Sequence, residues 1–128
     1  VAAIAKRMPI IKTIAFEIII ISPFIFLIIL TNFQRFVNNF LLTVENFKEF
    51  QNRFYDISRL FLTNLYCSEI LECDDVFCTL PALHRFAIYY IMATDVEMLE
   101  DKKYFFSKAI EAEPKMKKLV DFSIEQIK

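Results

Sequence analysis

Apolar residues in the first half of the chain recur at steps of three, four or seven, and polar residues occupy the opposite face. This spacing is typical of an amphipathic α-helix. Between Pro23 and Pro81 there is neither proline nor glycine, so no strong helix breaker interrupts the pattern. The pattern predicts one long helix over residues 34–66, with a stripe wide enough to pack against more than one helix. The recurring apolar positions are Phe33, Phe36, Phe40, Val44, Phe47, Phe54, Phe61 and Leu65.

The most apolar run, EIIIISPFIFLIIL, immediately precedes this helix, at residues 17–30. Residues 13–33 contain one charge, Glu17, and are long enough to cross a bilayer core of about 30 Å. Each large apolar residue favours insertion by about 0.3–0.6 kcal/mol, whereas one acid opposes it by roughly 2.5–3.5 kcal/mol. The run therefore predicts a retained transmembrane helix, kinked at Pro23.

Two alternatives for this run stay open. Lys6, Arg7 and Lys12 before an uncharged core of 13 residues are typical of a signal peptide, but no small-residue cleavage motif follows. A buried helix would need more partners than so short a chain offers.

The basic residues also predict an orientation for the span. More of them precede it than closely follow it, which places the N-terminus on the cytoplasmic or matrix side, with the mitochondrial inner membrane as one candidate location. Glu17 is then a candidate intramembrane charge, either linked to a proton or paired with a cation on another helix.

The second half of the chain reads as a connection followed by shorter helices. CSEILECDDVFCTLP, residues 67–81, is an acidic stretch that ends at a proline. ALHRFAIYYIMA, residues 82–93, predicts a core helix. Thr94 and Glu97 have the spacing of a capping box, which predicts a further helix ending near Ala112. Pro114 suits the first position of a last helix, whose apolar side comprises Met116, Leu119, Val120, Ile124 and Ile127.

Composition narrows the fold class and the possible chemistry. The 128 residues are 56% hydrophobic and include 15 Phe but no Gly and no Trp. Without glycine, phosphate-binding loops, dinucleotide-binding turns and nucleophile elbows cannot form in their usual way. Glycine-rich hairpin turns are also missing, and this favours an all-α fold.

Charge is distributed unevenly along the chain. Residues 45–101 hold eleven acids against four bases, whereas the segments on either side are each net basic. No sustained basic patch with interleaved aromatic residues occurs, so nucleic-acid binding has no support. We interpret the charges as solvated helix faces.

Candidate reactive residues cluster between positions 67 and 84. Cys67, Cys73, Cys78 and His84 could complete a tetrahedral zinc site, although their spacing lacks the close ligand pairs of structural zinc sites. Two of the three cysteines could instead form a disulfide, or all could be free thiols. His84 could activate a cysteine, but beside Arg85 at a helix start it is better interpreted as a capping or surface residue. The acidic residues around Asp74 lack the spacing of a calcium loop.

FFSKAIEAEP, residues 105–114, resembles the second helix of a tetratricopeptide repeat, with Phe106, Ala109 and Pro114 at the spacing of that motif. The resemblance covers a single copy of about 32 residues and implies a peptide-binding groove. Tyr90 and Lys102 depart from it, since they stand where the motif has small residues.

These observations predict an all-α, single-pass membrane protein whose kinked span continues into a long helix and then a small helical bundle. We expect a non-catalytic accessory subunit of a larger membrane complex, with other membrane subunits and the bilayer as partners and no cofactor. The alternatives are a secreted or anchored binding module for lipid or peptide, and, with least support, a cysteine–histidine enzyme. The predicted divisions are residues 1–12, 13–33, 34–66, 67–81 and 82–128, and the predicted partner contacts are Phe36, Phe40, Phe47, Phe54 and Phe61.

Overall fold

The computed structural model describes residues 23–39 and 43–127, and every regular element within these ranges is helical. The all-α prediction is confirmed for this part of the chain. The helices are α1 (Pro23–Asn39), α2 (Val44–Phe61), α3 (Asn64–Glu72), α4 (Asp74–Phe77), α5 (Ala82–Asp95), α6 (Leu99–Ala112) and α7 (Lys117–Ile127), with a 3₁₀ turn at Pro114–Met116 leading into α7.

The predicted continuous helix over residues 34–66 is wrong, because two threonines start new helices within it. Thr43 has an extended backbone, and its hydroxyl accepts a hydrogen bond from the Asn46 amide at 3.2 Å. Thr63 caps α3 in the same way, accepting from the Tyr66 amide at 3.0 Å. A side-chain oxygen that satisfies a free amide stabilises a helix start by about 1 kcal/mol. The apolar periodicity continues across both breaks and does not reveal them.

The single-pass membrane prediction is also corrected. Among the described residues no helix is long and apolar enough to cross a bilayer. α1 has 17 residues, and polar side chains recur from Asn32 onward. Its Leu30 and Val37 are fully buried, and its Phe33 packs edge-on against Phe50 of α2 at 4.7 Å. The inner face of α1 is therefore part of the protein core. The first part of the predicted span, together with Glu17, lies outside the described residues.

α5 is the central helix, since α1, α2, α3 and α6 all pack against it. Seven of its residues are buried. Tyr90, at its middle, is fully enclosed by rings from three helices: Phe54 at 5.2 Å, Phe86 at 5.7 Å and Phe106 at 5.7 Å. The sequence expectation of a core helix here is confirmed.

α5 and α6 form an antiparallel hairpin, with a turn that differs from the prediction. Thr94 does not cap α6. It lies inside α5, where its hydroxyl donates to the Tyr90 carbonyl at 2.9 Å. α6 begins at Leu99, and the Lys102 ammonium reaches back to the carbonyls of Ala93 and Thr94. A lysine in this position satisfies carbonyls that the end of α5 would leave free.

The end of the chain follows the predicted pattern. α6 ends at Ala112, and Pro114 opens the 3₁₀ turn that precedes α7. Of the predicted apolar side, Met116, Leu119 and Val120 are fully buried and Ile124 is partly buried, whereas Ile127 is exposed. The acidic stretch 67–81, expected as a connection, instead contains the second half of α3 and all of α4.

Candidate functional site

A groove of about 450 Å³ separates α1 from α2. Its apolar lining comes from both helices and comprises Ile29, Phe33, Phe36, Phe50 and Ile57. These positions face one another because α1 and α2 pack against each other. Concave apolar surfaces of this size are typical of places where proteins bind ligands or partner side chains.

The aromatic floor of this groove is fixed by ring contacts. Phe33 meets Phe50 edge-on at 4.7 Å and Phe54 at 5.9 Å. Phe36 lies parallel to Phe50, with centroids 5.7 Å apart and planes 10° from each other, and keeps 37% of its surface exposed. Because these rings already hold one another in place, an apolar occupant would meet a preformed surface.

Polar side chains form the rim of the groove, namely Asn32, Asn46, Glu49 and Arg53. Arg53 pairs with Glu49 at 3.1 Å, one helical turn apart on α2, and both side chains are mostly exposed. A pair this exposed stabilises the helix by only a few tenths of a kcal/mol, so its charges can be rearranged at little cost. The two amides supply hydrogen-bond donors and acceptors without net charge.

A smaller hollow of about 280 Å³ lies along α1. Leu27, Ile28, Thr31 and Arg35 line it, together with Asn32, which therefore borders both hollows. Ile28 is 59% exposed, and Ile25, one turn earlier, is 58% exposed. Large aliphatic side chains this open to solvent, next to an apolar groove, are characteristic of a binding surface.

The five predicted partner contacts have different environments. Phe36 lines the groove, whereas Phe40 lies outside the described residues. Phe47 stacks on Phe122 of α7 at 5.1 Å. Phe54 is fully buried between α1 and α5, and Phe61 packs partly buried against the core. Of the four described, only Phe36 therefore lines an open apolar surface.

The cysteine–histidine cluster does not assemble as a metal site. Within residues 23–39 and 43–127, no three side chains of His, Cys, Asp or Glu come close enough to hold a metal ion. Cys67 is buried, and burial raises the pKa of its thiol to about 12, which leaves it protonated and unreactive. Cys73 is partly exposed and Cys78 exposed, and all three thiols are free.

His84 differs from the surface residue predicted. It is 1% exposed on the inner side of α5, and burial lowers the pKa of its imidazole from 6.5 to about 4. The side chain is therefore neutral at physiological pH. An isolated histidine next to an arginine gives no sequence signal of burial, which here results from long-range helix packing.

The groove itself was missed because Ile29 and Phe33 were assigned to lipid contact. No signal in the sequence indicates the groove, because Phe33 and Phe36 lie on α1 whereas Phe50 lies on α2.

Comparison with known protein families, curated proteins and solved structures finds no match to this chain. No family model supports the tetratricopeptide resemblance at residues 105–114.

Proposed function

We propose that this protein is a non-catalytic interaction module that binds an apolar helix of another protein in the groove between α1 and α2. The observation that carries the proposal is the groove itself, with an aromatic floor, a polar rim and adjoining exposed isoleucines. Helix-in-groove recognition combines the same parts, because an amphipathic helix buries its apolar face while its flanks meet polar groups at the edge.

The size of the surface supports a helix as the occupant. The described part of α1 has 17 residues and so extends about 25 Å at 1.5 Å per residue, and the two hollows share one residue near its middle. A partner helix could place successive side chains into both hollows. Burying the exposed parts of Ile25, Ile28 and Phe36 would contribute to affinity at about 25 cal/mol per Å² before the costs of association.

The chemistry of the lining supports binding without catalysis. Among the described residues that line the larger groove, the charged side chains are Glu49 and Arg53, which neutralise each other. The buried histidine and the buried thiol lie elsewhere in the fold, and neither lines the groove. The proposal thus retains docking from the accessory-subunit prediction, with a protein helix as the ligand.

The test compares two substitutions of similarly exposed apolar residues. Phe36→Ser opens the floor of the groove, whereas Leu65→Ser, on α3, changes a side chain with 43% exposure outside it. Each full-length variant is expressed in its native cells, and its assembly is sized on a native gel after mild extraction. Circular dichroism confirms that both variants are helical.

We expect the unaltered chain and Leu65→Ser to migrate in one stoichiometric assembly, and Phe36→Ser to migrate free of it. A free unaltered chain, or equal behaviour of the two variants, would overturn the proposal. A small apolar molecule that co-purifies with the unaltered chain and is lost from Phe36→Ser would make the groove a small-ligand pocket instead, since its volume falls in the usual range for such pockets.

A further inference from the structure

The solvent-facing side of α1 has a regular arrangement that the groove alone does not explain. Ile25, Ile28, Asn32, Arg35 and Asn39 follow one another at steps of three, four, three and four, and all five are exposed. We call these five residues the α1 seam. Alternating steps of three and four are the spacing at which one helix packs along another, with side chains of each fitting between those of its neighbour.

The polar members of the α1 seam carry its specificity. An asparagine in such a seam favours a partner with a polar group opposite it, because an apolar residue there would leave the amide unsatisfied. Asn32 occupies this place and borders both hollows. A polar group opposite Asn32 would therefore fix the register of a helix that fills the two hollows.

The net charge of this surface is positive. Arg35 is the only charged residue of α1 and makes no ion pair with any other described residue. The Arg53–Glu49 pair on the rim contributes no net charge. The combined surface thus carries one uncompensated guanidinium about 15 Å along α1 from Ile25. Guanidinium groups form their strongest hydrogen bonds with carboxylates, in a two-point geometry.

We infer that the partner is an acidic amphipathic helix, with an apolar stripe against Ile25 and Ile28, a polar side chain opposite Asn32 and a carboxylate opposite Arg35. This inference rests on the proposed docking function and adds the chemistry of the partner to it. A second copy of this chain fits less well in either direction, because the α1 seam contains no carboxylate that could pair with Arg35.

The experiment uses two synthetic helical peptides of equal length with the same leucine stripe and one tryptophan each. One carries Glu on its flanks and the other Lys. The full-length chain contains no tryptophan, so the emission of each peptide reports binding directly. Each peptide is titrated with the unaltered chain, with Arg35→Glu, and with Lys103→Glu, which makes the same charge change on α6 away from both hollows.

We expect the unaltered chain to bind the Glu peptide about tenfold more tightly than the Lys peptide at low salt, with the ratio shrinking as salt is added. Arg35→Glu should abolish or reverse the preference, whereas Lys103→Glu should keep it. The affinity for both peptides should depend on Phe36, because both peptides carry the same leucine stripe and would place it on the aromatic floor of the groove.

The other outcomes separate the two proposals. Equal affinity for both peptides, lost in Phe36→Ser, would overturn the acidic partner and leave groove docking intact. Failure of both peptides to bind would overturn both. A wild-type dimer in analytical ultracentrifugation that dissociates in Ile28→Ser would show that the occupant is a second copy of this chain.

Discussion

Two aromatic clusters in this protein share residues from α2 and have different surroundings. Around Phe54, rings from α1, α2, α5 and α6 form a closed cluster, and Phe54, Phe86 and Tyr90 have no exposed surface. Around Phe50, one turn earlier on α2, the neighbouring rings are Phe33 and Phe36 of α1, and the cluster opens into the groove. The number of helices around each cluster, and not its composition, decides whether it forms core or surface.

Polar groups differ between the two clusters in the same way. In the closed cluster, Ser123 of α7 accepts hydrogen bonds from Gln51 and Tyr90 and donates its own hydrogen to the Leu119 carbonyl. At the groove, Glu49 and Arg53 pair in solvent. Buried polar groups must be satisfied within the fold, whereas the rim groups can exchange partners. This freedom is what a binding surface requires.

The largest expected difference between the two clusters is the loss of unfolding free energy when one aromatic ring is removed. We expect Phe54→Ala to destabilise the protein by about 3–5 kcal/mol, because the cavity it leaves is enclosed on all sides. Phe36→Ala should cost less, about 2 kcal/mol, since more than a third of this side chain is already solvated and the space it leaves opens into the groove. Urea unfolding followed by circular dichroism measures both.

A similar loss of unfolding free energy in the two variants would show that the groove is closed in solution. The two clusters would then not differ in their exposure to solvent. The slope of the unfolding transition serves as a control, because an unchanged slope means that both variants expose the same surface on unfolding.

Local patterns predicted α5 and the turn that leads into α7 well. ALHRFAIYYIMA gave the core helix, and Pro114 gave the start of the last turn and helix, because apolar density and proline act within a few residues. The breaks at Thr43 and Thr63 were not predicted. Each threonine provides a cap, but the apolar periodicity around it is compatible with an uninterrupted helix.

Local sequence patterns predict poorly which residues are buried by helices that are distant in the sequence. The apolar face of α1 satisfied the composition of a membrane span as well as that of a core helix, and only its packing on α2 and α5 distinguishes them. The same holds for His84, whose burial depends on the helices that surround α5. The groove depends on the angle and separation of two helices, which no short pattern determines.

The next largest effect is a pH dependence of the free energy of unfolding, which comes from the buried side chain of His84. Since burial lowers the pKa of His84 from 6.5 to about 4, the unfolded chain binds more protons than the folded protein between these values. Stability should therefore fall as the pH is lowered from 6.5 to 4, by about 3 kcal/mol in total from this group, and the contribution should be constant above pH 6.5.

His84 is the only histidine, so its imidazole signal in a proton NMR titration identifies the group directly. A midpoint near 6.5 in the folded protein would contradict its burial. As a control, the stability of His84→Gln should not show the fall between pH 6.5 and 4 that His84 causes. The pH dependence that comes from the carboxylates should remain.

The smallest expected effect is the difference in stability loss between removing a buried hydrogen bond and removing the ion pair on the groove rim. Ser123→Ala removes the common partner of Tyr90 and Gln51, and we expect a loss of about 2 kcal/mol, because the Tyr90 hydroxyl loses its hydrogen bond to Ser123 in a fully buried site. Glu49→Ala breaks one exposed pair and should cost no more than about 0.5 kcal/mol. Thermal and urea unfolding of both variants measure the difference.

If Glu49→Ala lost as much unfolding free energy as Ser123→Ala, the rim would be part of the folded framework. Its charges would then not be free to meet a partner helix.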